Sequence, residues 1–197
     1  MTDRMRIFIV ICFFIICCVV GSYVDAAELS QNQKTCIELA YKHGNRVTLH
    51  GERMGETVAS ILWQESKGNY KVYQKNGVVV GDLDKRGRPK SLGPMQVQVP
   101  TARDLERWYP MLFKLKFGIY SPTDEELIIA LLTDIEFNIQ CGAQYFQWLL
   151  NRTGNYNKAI LSYNRGTGGV GDPNDYVRKV KQWRKIIVLP FLRGAAG

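Results

Sequence analysis

Residues 51–66 read GERMGETVASILWQES, and the apolar pattern in this stretch sets how the rest of the chain is read. Met54, Val58, Ile61 and Leu62 recur at helical spacing. At 100° per residue they fall within a sector of about 100°, the width of a helix face buried against a core. Glu65 falls inside the same sector. A carboxylate on an apolar face is costly to ionise, because burial disfavours its charged form. Such a side chain stays protonated towards neutral pH and can serve as a general acid. The same spacing also accommodates a helix-end glutamate that turns outward or pairs with an arginine.

Upstream, Ser30 and Gln33 form a capping pattern. It predicts a helix over 34–43, with Gly44 as a natural stop. Downstream, 70–75 and 78–82 flank Asn76-Gly77, the dipeptide favoured where both central residues of a two-residue turn need positive φ. A small β-hairpin is expected there. Lys85-Arg86-Gly87-Arg88-Pro89-Lys90 reads as a basic loop, and Ser91-Leu92-Gly93-Pro94-Met95-Gln96 as an irregular turn. Thr101 is placed to cap a helix running to about Lys116, and Pro122 stands at the favoured first-turn position of another. Asp134 starts or kinks a helix to about Asn151, carrying Phe137, Cys141, Tyr145, Trp148 and Leu149 on related faces. Shorter helices follow over 156–164 and 175–187. The expectation is a single mostly α domain with one small β excursion.

The chain has 197 residues, 46% of them hydrophobic and 11% aromatic, which excludes disordered and collagen-like classes. With two histidines in all and no Cys-x-x-Cys pair, no zinc site of usual spacing is available. Residues 1–26 have the three parts of a secretory signal peptide: Arg4 and Arg6, an apolar run from Ile7 to Val20, and small residues up to a cleavage point near Ala26. That run is shorter than the roughly 20 residues needed to span a bilayer. The residues before Cys17 and Cys18 are Ile15 and Ile16, unlike a lipidation site. The formal net charge is +8, and the leader's two arginines and two aspartates cancel, so the basic character belongs to residues 27–197. Beyond the leader, Cys36 and Cys141 remain. In an oxidising compartment they permit one disulfide, and two unpaired buried thiols are the alternative. A basic exported domain points to anionic surroundings without choosing among a polymer, a membrane surface and nucleic acid.

Four ordered groups change the reading of Glu65. Trp63-Gln64-Glu65-Ser66 is followed by Gly93-Pro94-Met95-Gln96-Val97 with Pro100-Thr101-Ala102. Then come Asn138-x-x-x-Gly142-x-x-Tyr145-Phe146 and Ile160-Leu161-Ser162-Tyr163-Asn164-Arg165-Gly166. In this order they resemble the soluble lytic transglycosylase family, over about Gly51 to Trp183. The resemblance implies a lysozyme-like α+β fold of the goose-type and lytic transglycosylase kind. It also implies non-hydrolytic cleavage of peptidoglycan between N-acetylmuramic acid and N-acetylglucosamine. Glu65 would protonate the leaving oxygen, then take the proton of the muramoyl C6 hydroxyl as a 1,6-anhydro ring closes. No water attacks, so the carboxylate pair of ordinary glycosidases is not needed. Asp82 and Asp84 read as solvated turn residues rather than a second catalytic carboxylate.

The same resemblance places Tyr163 beside the acid, its phenol bonded to the carboxyl group and orienting it. Gln96 would line the sugar cleft by hydrogen bonding and Met95 by apolar contact. Ser91 is a candidate substrate contact. Asn164 is a further candidate, more suited to holding its own turn, while Ser66 and Asn138 read as structural. Pro94 stands where relatives carry Leu, and Ser162 where they carry Ala, departures that bear on cleft shape rather than on proton transfer. No cofactor is implied. The implied partner is peptidoglycan, in the periplasm of a Gram-negative bacterium, with an envelope-spanning secretion or conjugation apparatus as a further partner. A non-catalytic glycan-binding scaffold and a hydrolytic goose-type lysozyme are the alternatives.

Two weaker motifs are set aside. Gly166-Thr167-Gly168-Gly169-Val170-Gly171 satisfies G-x-G-x-x-G, yet it follows a helix and runs into Asp172-Pro173, not the strand-then-helix context of a dinucleotide loop. Asp82-Leu83-Asp84-Lys85-Arg86-Gly87 puts an arginine at a calcium-ligand position. The basic run 178–185, with Val177, Val180 and Trp183 on one face, suits adhesion to an anionic envelope or a solvated surface; export argues against nucleic acid.

Overall fold

Asp134 caps the longest helix, its side chain accepting from the backbone N–H of Phe137, and the helix runs to Thr153 before Gly154 turns left-handed. This is the further helix expected from the sequence. The computed structural model describes residues 29–68, 89–165 and 173–195, together with the strand residues 74–75, 78–79 and 82–83. The leader at 1–26, the Asn76-Gly77 turn, Asp84 and the loop 166–171 lie outside the described residues, as does the side chain of Asp82.

In chain order the elements are α1 (Gln31–Gly44), β1 (Thr48–Leu49), β2 (Glu52–Arg53), α2 (Gly55–Ser66), β3 (Gln74–Lys75), β4 (Val78–Val79), β5 (Asp82–Leu83) and β6 (Pro89–Ser91). Then follow α3 (Val99–Trp108), α4 (Pro110–Phe117), α5 (Asp124–Thr133), α6 (Ile135–Thr153), α7 (Tyr156–Arg165), α8 (Pro173–Trp183), a π-helical turn (Arg184–Val188) and α9 (Leu189–Gly194). The strands pair antiparallel in three two-stranded ribbons, β1 with β2, β3 with β4 and β5 with β6. Lys75 pairs with Val78, the register of the expected two-residue hairpin. The architecture is α+β and mostly α.

Several boundaries differ from expectation, among them the helix expected over 175–187, which ends at Trp183, continues as the π-helical turn and is followed by α9. The second helix begins at Gly55 rather than Gly51, because His50 and Gly51 have φ of 51° and 84° and turn a short hairpin between β1 and β2. The helix expected over 101–116 starts earlier and breaks at Tyr109, whose φ of −133° leaves the helical region ahead of Pro110. Pro122 precedes the next helix instead of entering it. Thr123 is the cap, in a reciprocal box with Glu126.

The core is lined by Ile37, Val58, Ile61, Leu62, Leu105, Leu131, Ile139, Phe146 and Leu150, all fully buried. α1 meets α2 through glycines: a Cβ on Gly44 would stand 2.8 Å from the Gly55 Cα. Met54, Val58, Ile61 and Leu62 are all buried, so the apolar face of α2 is its core face. Cys36 and Cys141 are free, buried thiols, the second of the two alternatives open in the sequence. Among the described residues no helix is long and apolar enough to cross a membrane.

Candidate active site

Glu65 occupies the last turn of α2, which Lys67 closes in the left-handed region at φ 59°. Ser66 ties off the same end, its Oγ donating to the Leu62 carbonyl at 3.4 Å and accepting from the Gly68 N–H at 3.2 Å. Glu65 is partly buried, and the loss of solvent around its carboxyl raises its pKa above the ordinary carboxylate range. One group opposes that rise. The hydroxyl of Tyr176, a buried residue of α8, donates to Glu65 Oε1 and lowers the pKa, but desolvation is the larger effect. The arrangement is a carboxyl group biased towards its neutral form and held in one orientation.

α8 is fastened to α2 on either side of that bond. Trp183 Nε1 donates to Gln64 Oε1 at 2.7 Å, the Lys67 ammonium stands 3.6 Å from the Trp183 ring centroid, and Arg184 pairs with Glu56. Tyr176, Val180 and Trp183 recur at i, i+4 and i+7. That stripe faces inward, and Tyr176 is its polar-tipped member.

The turn 92–97 is joined to the neighbourhood of Glu65 through Tyr163. Leu92 and Val97 exchange backbone hydrogen bonds of 3.0 and 2.9 Å, and Gly93 takes a φ of 65°. A Cβ at Gly93 would fall 2.4 Å from Asn138 Nδ2 and from the Leu131 carbonyl, so only glycine fits on both counts. Asn138, fully buried on α6, satisfies the turn from beneath. Its Nδ2 donates to the carbonyls of Leu92 at 2.8 Å and Leu131 at 3.0 Å, and its Oδ1 accepts from the Met95 N–H at 2.8 Å. The structural role expected for Asn138 is the one seen.

Three expectations need correction or refinement. Tyr163 does not bond the acid: its hydroxyl donates to the Met95 carbonyl at 3.0 Å, and Tyr176 takes the orienting position. Tyr163 is nevertheless close enough to Glu65 for the carboxylate charge, with burial the larger cause, to push its phenol well up. The Met95 side chain is fully buried, so it packs the core rather than lining a cleft. A Cβ on Gly142 would approach it to 2.7 Å, which is why a glycine sits beneath it. Gln96, at a φ of 51°, turns its Nε2 back onto the Gly93 carbonyl at 3.0 Å, while still bordering a cavity of about 30 Å3 with Thr101, Tyr145 and Tyr163. Ser91 is half-buried on β6 opposite Asp82, and Asn164 is exposed on α7.

Tyr145 was legible as part of a motif but not as a wall of this cavity. Its ring lies 5.4 Å from that of Tyr163. Tyr176 was missed altogether, although the i, i+4, i+7 stripe on α8 carried the signal. The basic face of α8 borders a separate groove of about 820 Å3 with Lys158, Leu161, Val177, Arg178, Lys181 and Lys185, apart from Glu65. Among the described residues no group of three His, Cys, Asp or Glu side chains could hold a metal ion.

The family model of the transglycosylase SLT domain matches residues 46–186, which include Glu65, the turn at 92–97, Asn138, Tyr163 and Tyr176. No curated protein and no solved structure matches the chain.

Proposed function

The chain belongs to the transglycosylase SLT domain family, a lysozyme-like fold that acts on peptidoglycan, and from that premise we propose that it cleaves the bond between N-acetylmuramic acid and N-acetylglucosamine without water. The observation that carries the reading is the desolvated carboxyl of Glu65 held by the Tyr176 hydroxyl. Glu65 enters the reaction protonated and gives its proton to the bridging oxygen, which leaves as the C4 hydroxyl of N-acetylglucosamine. The muramoyl C1 becomes electron-poor as that bond breaks. The C6 hydroxyl of the same sugar attacks C1, and the Glu65 carboxylate accepts its proton. The product carries a 1,6-anhydro ring and Glu65 returns to its neutral form, so protons balance over the cycle. One residue serves as acid and then base.

Tyr176 acts through Glu65. It holds the carboxyl in place and stabilises the carboxylate between the two proton transfers. Tyr163 and Asn138 position the 92–97 turn, and Gln96, Thr101 and Tyr145 border the space beside it. The leader-like residues 1–26 support export, and the periplasm of a Gram-negative cell is where enzyme and polymer would meet. Local opening of the wall for an envelope-spanning apparatus is the cellular role that fits this reading.

Mass spectrometry of fragments released from peptidoglycan tests it. The wild type is expected to release anhydromuropeptides, and Glu65→Gln to lower release by at least about a hundredfold, the low end of what general acid–base groups contribute. Reducing-end fragments, one water heavier, would make the enzyme a hydrolytic lysozyme. Binding without release by the wild type would make it a scaffold.

A further inference from the structure

α4 reads PMLFKLKF, and Lys114 and Lys116 are its only polar side chains. At 100° per residue Phe113 and Phe117 point to one side of the helix, and Met111, Lys114 and Leu115 to the other. Protein covers only the first side. Phe113 is fully buried, and Phe113 and Phe117 both meet Phe137 of α6 edge-on, with ring centroids 5.7 and 5.5 Å away. On the far side Leu115 is 81% exposed and Met111 54%. A helix apolar on both faces is normally enclosed on both, so the outward face of α4 lacks its cover in the isolated chain.

The exposed apolar surface continues past the helix. Gly118 turns the chain left-handed at φ 73°, and Ile119 and Tyr120 follow, both exposed. Lys114 fixes Tyr120 beside the helix, its Nζ donating to the phenolic oxygen at 2.9 Å and standing 4.6 Å from the ring centroid. Among the described residues six large apolar side chains are exposed, and five of them are Trp108, Met111, Leu115, Ile119 and Tyr120. Over 107–120 the chain reads RWYPMLFKLKFGIY, with three cations and no carboxylate. At the borders Arg107 pairs with Asp104 and Lys116 with Asp134, whereas Lys114 has no carboxylate partner among the described residues. The acidic first turn of α5 lies beyond Pro122, where Arg103 engages Asp124 and Thr123 engages Glu126.

We propose that the outward face of α4, with the Ile119-Tyr120 turn, docks on an anionic lipid bilayer. A side chain that protrudes as Leu115 does enters a fluid acyl phase without needing a shaped pocket. Met111, Leu115 and Ile119 take that position, while the Lys114 ammonium and the Tyr120 hydroxyl stay at the level of the lipid phosphates. A second copy fits less well, since a two-fold pair would bring each Lys114 against its equivalent. The patch shares no residue with the Glu65 site, and lipid docking stands or falls independently of peptidoglycan cleavage.

Acyl-chain photolabelling of the full chain tests the proposal. Vesicles of phosphatidylethanolamine with phosphatidylglycerol, and vesicles of phosphatidylcholine alone, each carry a trace of lipid with a diazirine in its acyl chain, and labelled peptides are mapped by mass. Labels are expected within 107–120, with about fivefold less on the neutral vesicles, the worth of one cation near an anionic surface. Met111→Gln combined with Leu115→Gln should cut those labels at least about tenfold, as expected for loss of a buried apolar side chain, and leave fragment release from soluble glycan unchanged. Labels confined to 1–26 or to 178–185, no labels, or equal labelling of both vesicles overturns the proposal. A dimer seen by sedimentation without lipid, and dissociated by the same two substitutions, would give the face to a second copy and overturn it as well. The labelling of the wild type needs no variant to fold.

Discussion

Glu65 and Tyr176 share a hydrogen bond across 111 positions of sequence, and the charge state of the acid is set by that bond working against burial. Removing the phenolic donor leaves desolvation unopposed. Tyr176→Phe should therefore raise the pKa of Glu65 further, moving the alkaline limb of the kcat–pH profile upward while orientation loss lowers kcat about tenfold. Tyr163→Phe breaks a bond to the Met95 carbonyl instead, so it should lower the melting temperature and leave the alkaline limb nearly in place. Equal limb shifts in both variants would refute the assignment of Tyr176. Stability carries the same signature with a definite sign. A carboxyl whose pKa is higher folded than unfolded binds more protons in the native state between the two values, so the fold loses stability as pH rises through that interval. Glu65→Gln should melt higher than the wild type above the pKa of Glu65, and the gap should close as pH falls to the ordinary carboxylate range. Glu65 was legible because a helix period and an apolar face are both local. Its partner lies a whole domain away along the chain, and periodicity could say only that Tyr176 faces inward.

The turn at 92–97 shows what an element owes to another element. Ser91-Leu92-Gly93-Pro94-Met95-Gln96 owes its conformation largely to other elements: on α6 Asn138 satisfies three backbone groups and Gly142 leaves room for Met95, and on α7 Tyr163 donates to the Met95 carbonyl. Replacing Asn138 by Ala strands the Met95 N–H and the Leu131 carbonyl in a dry interior, while the Leu92 carbonyl keeps the Val97 N–H. At about 1–3 kcal/mol for each unsatisfied group, with partial relaxation, the expected cost is about 3 kcal/mol, or a fall in melting temperature of about 10 °C. Thermal unfolding of Asn138→Ala checks this, and Asn138→Asp should fare no better, because a carboxylate offers no donor to the Leu92 and Leu131 carbonyls. The main helices were legible from a cap or an apolar stripe, but α4 was read as part of α3 and the π-helical turn and α9 were not read at all. Boundaries were not where two signals overlapped: Thr101 looked like a cap, but the chain was already helical from Val99, and the Pro110 that split 101–116 acts through the residue before it.

At the scale of the molecule the two buried cysteines decide what holds the helices together. Cys36 on α1 and Cys141 on α6 sit in the core as thiols, and burial pushes the Cys36 thiol up to about 11 and the Cys141 thiol higher still, the latter with a further push from Asp134. A thiol held protonated is a poor nucleophile. Iodoacetamide at neutral pH should leave both unmodified in the folded protein. After unfolding without reductant, peptide mapping should find both carbamidomethylated, whereas a linked peptide containing Cys36 and Cys141 would show that the core is cross-linked. Thermal stability alone could not tell these apart. Cys36→Ser swaps a small apolar thiol for a hydroxyl that needs a partner, so it lowers the melting temperature whether or not a disulfide is lost. The sequence left this choice open for a physical reason: an even cysteine count states only that a bond is possible, while the outcome depends on how α1 and α6 pack, which no local pattern encodes. The fold is then held by the apolar faces of α1, α2 and α6 and by the Asn138 network, and it should unfold at the same temperature with and without reductant.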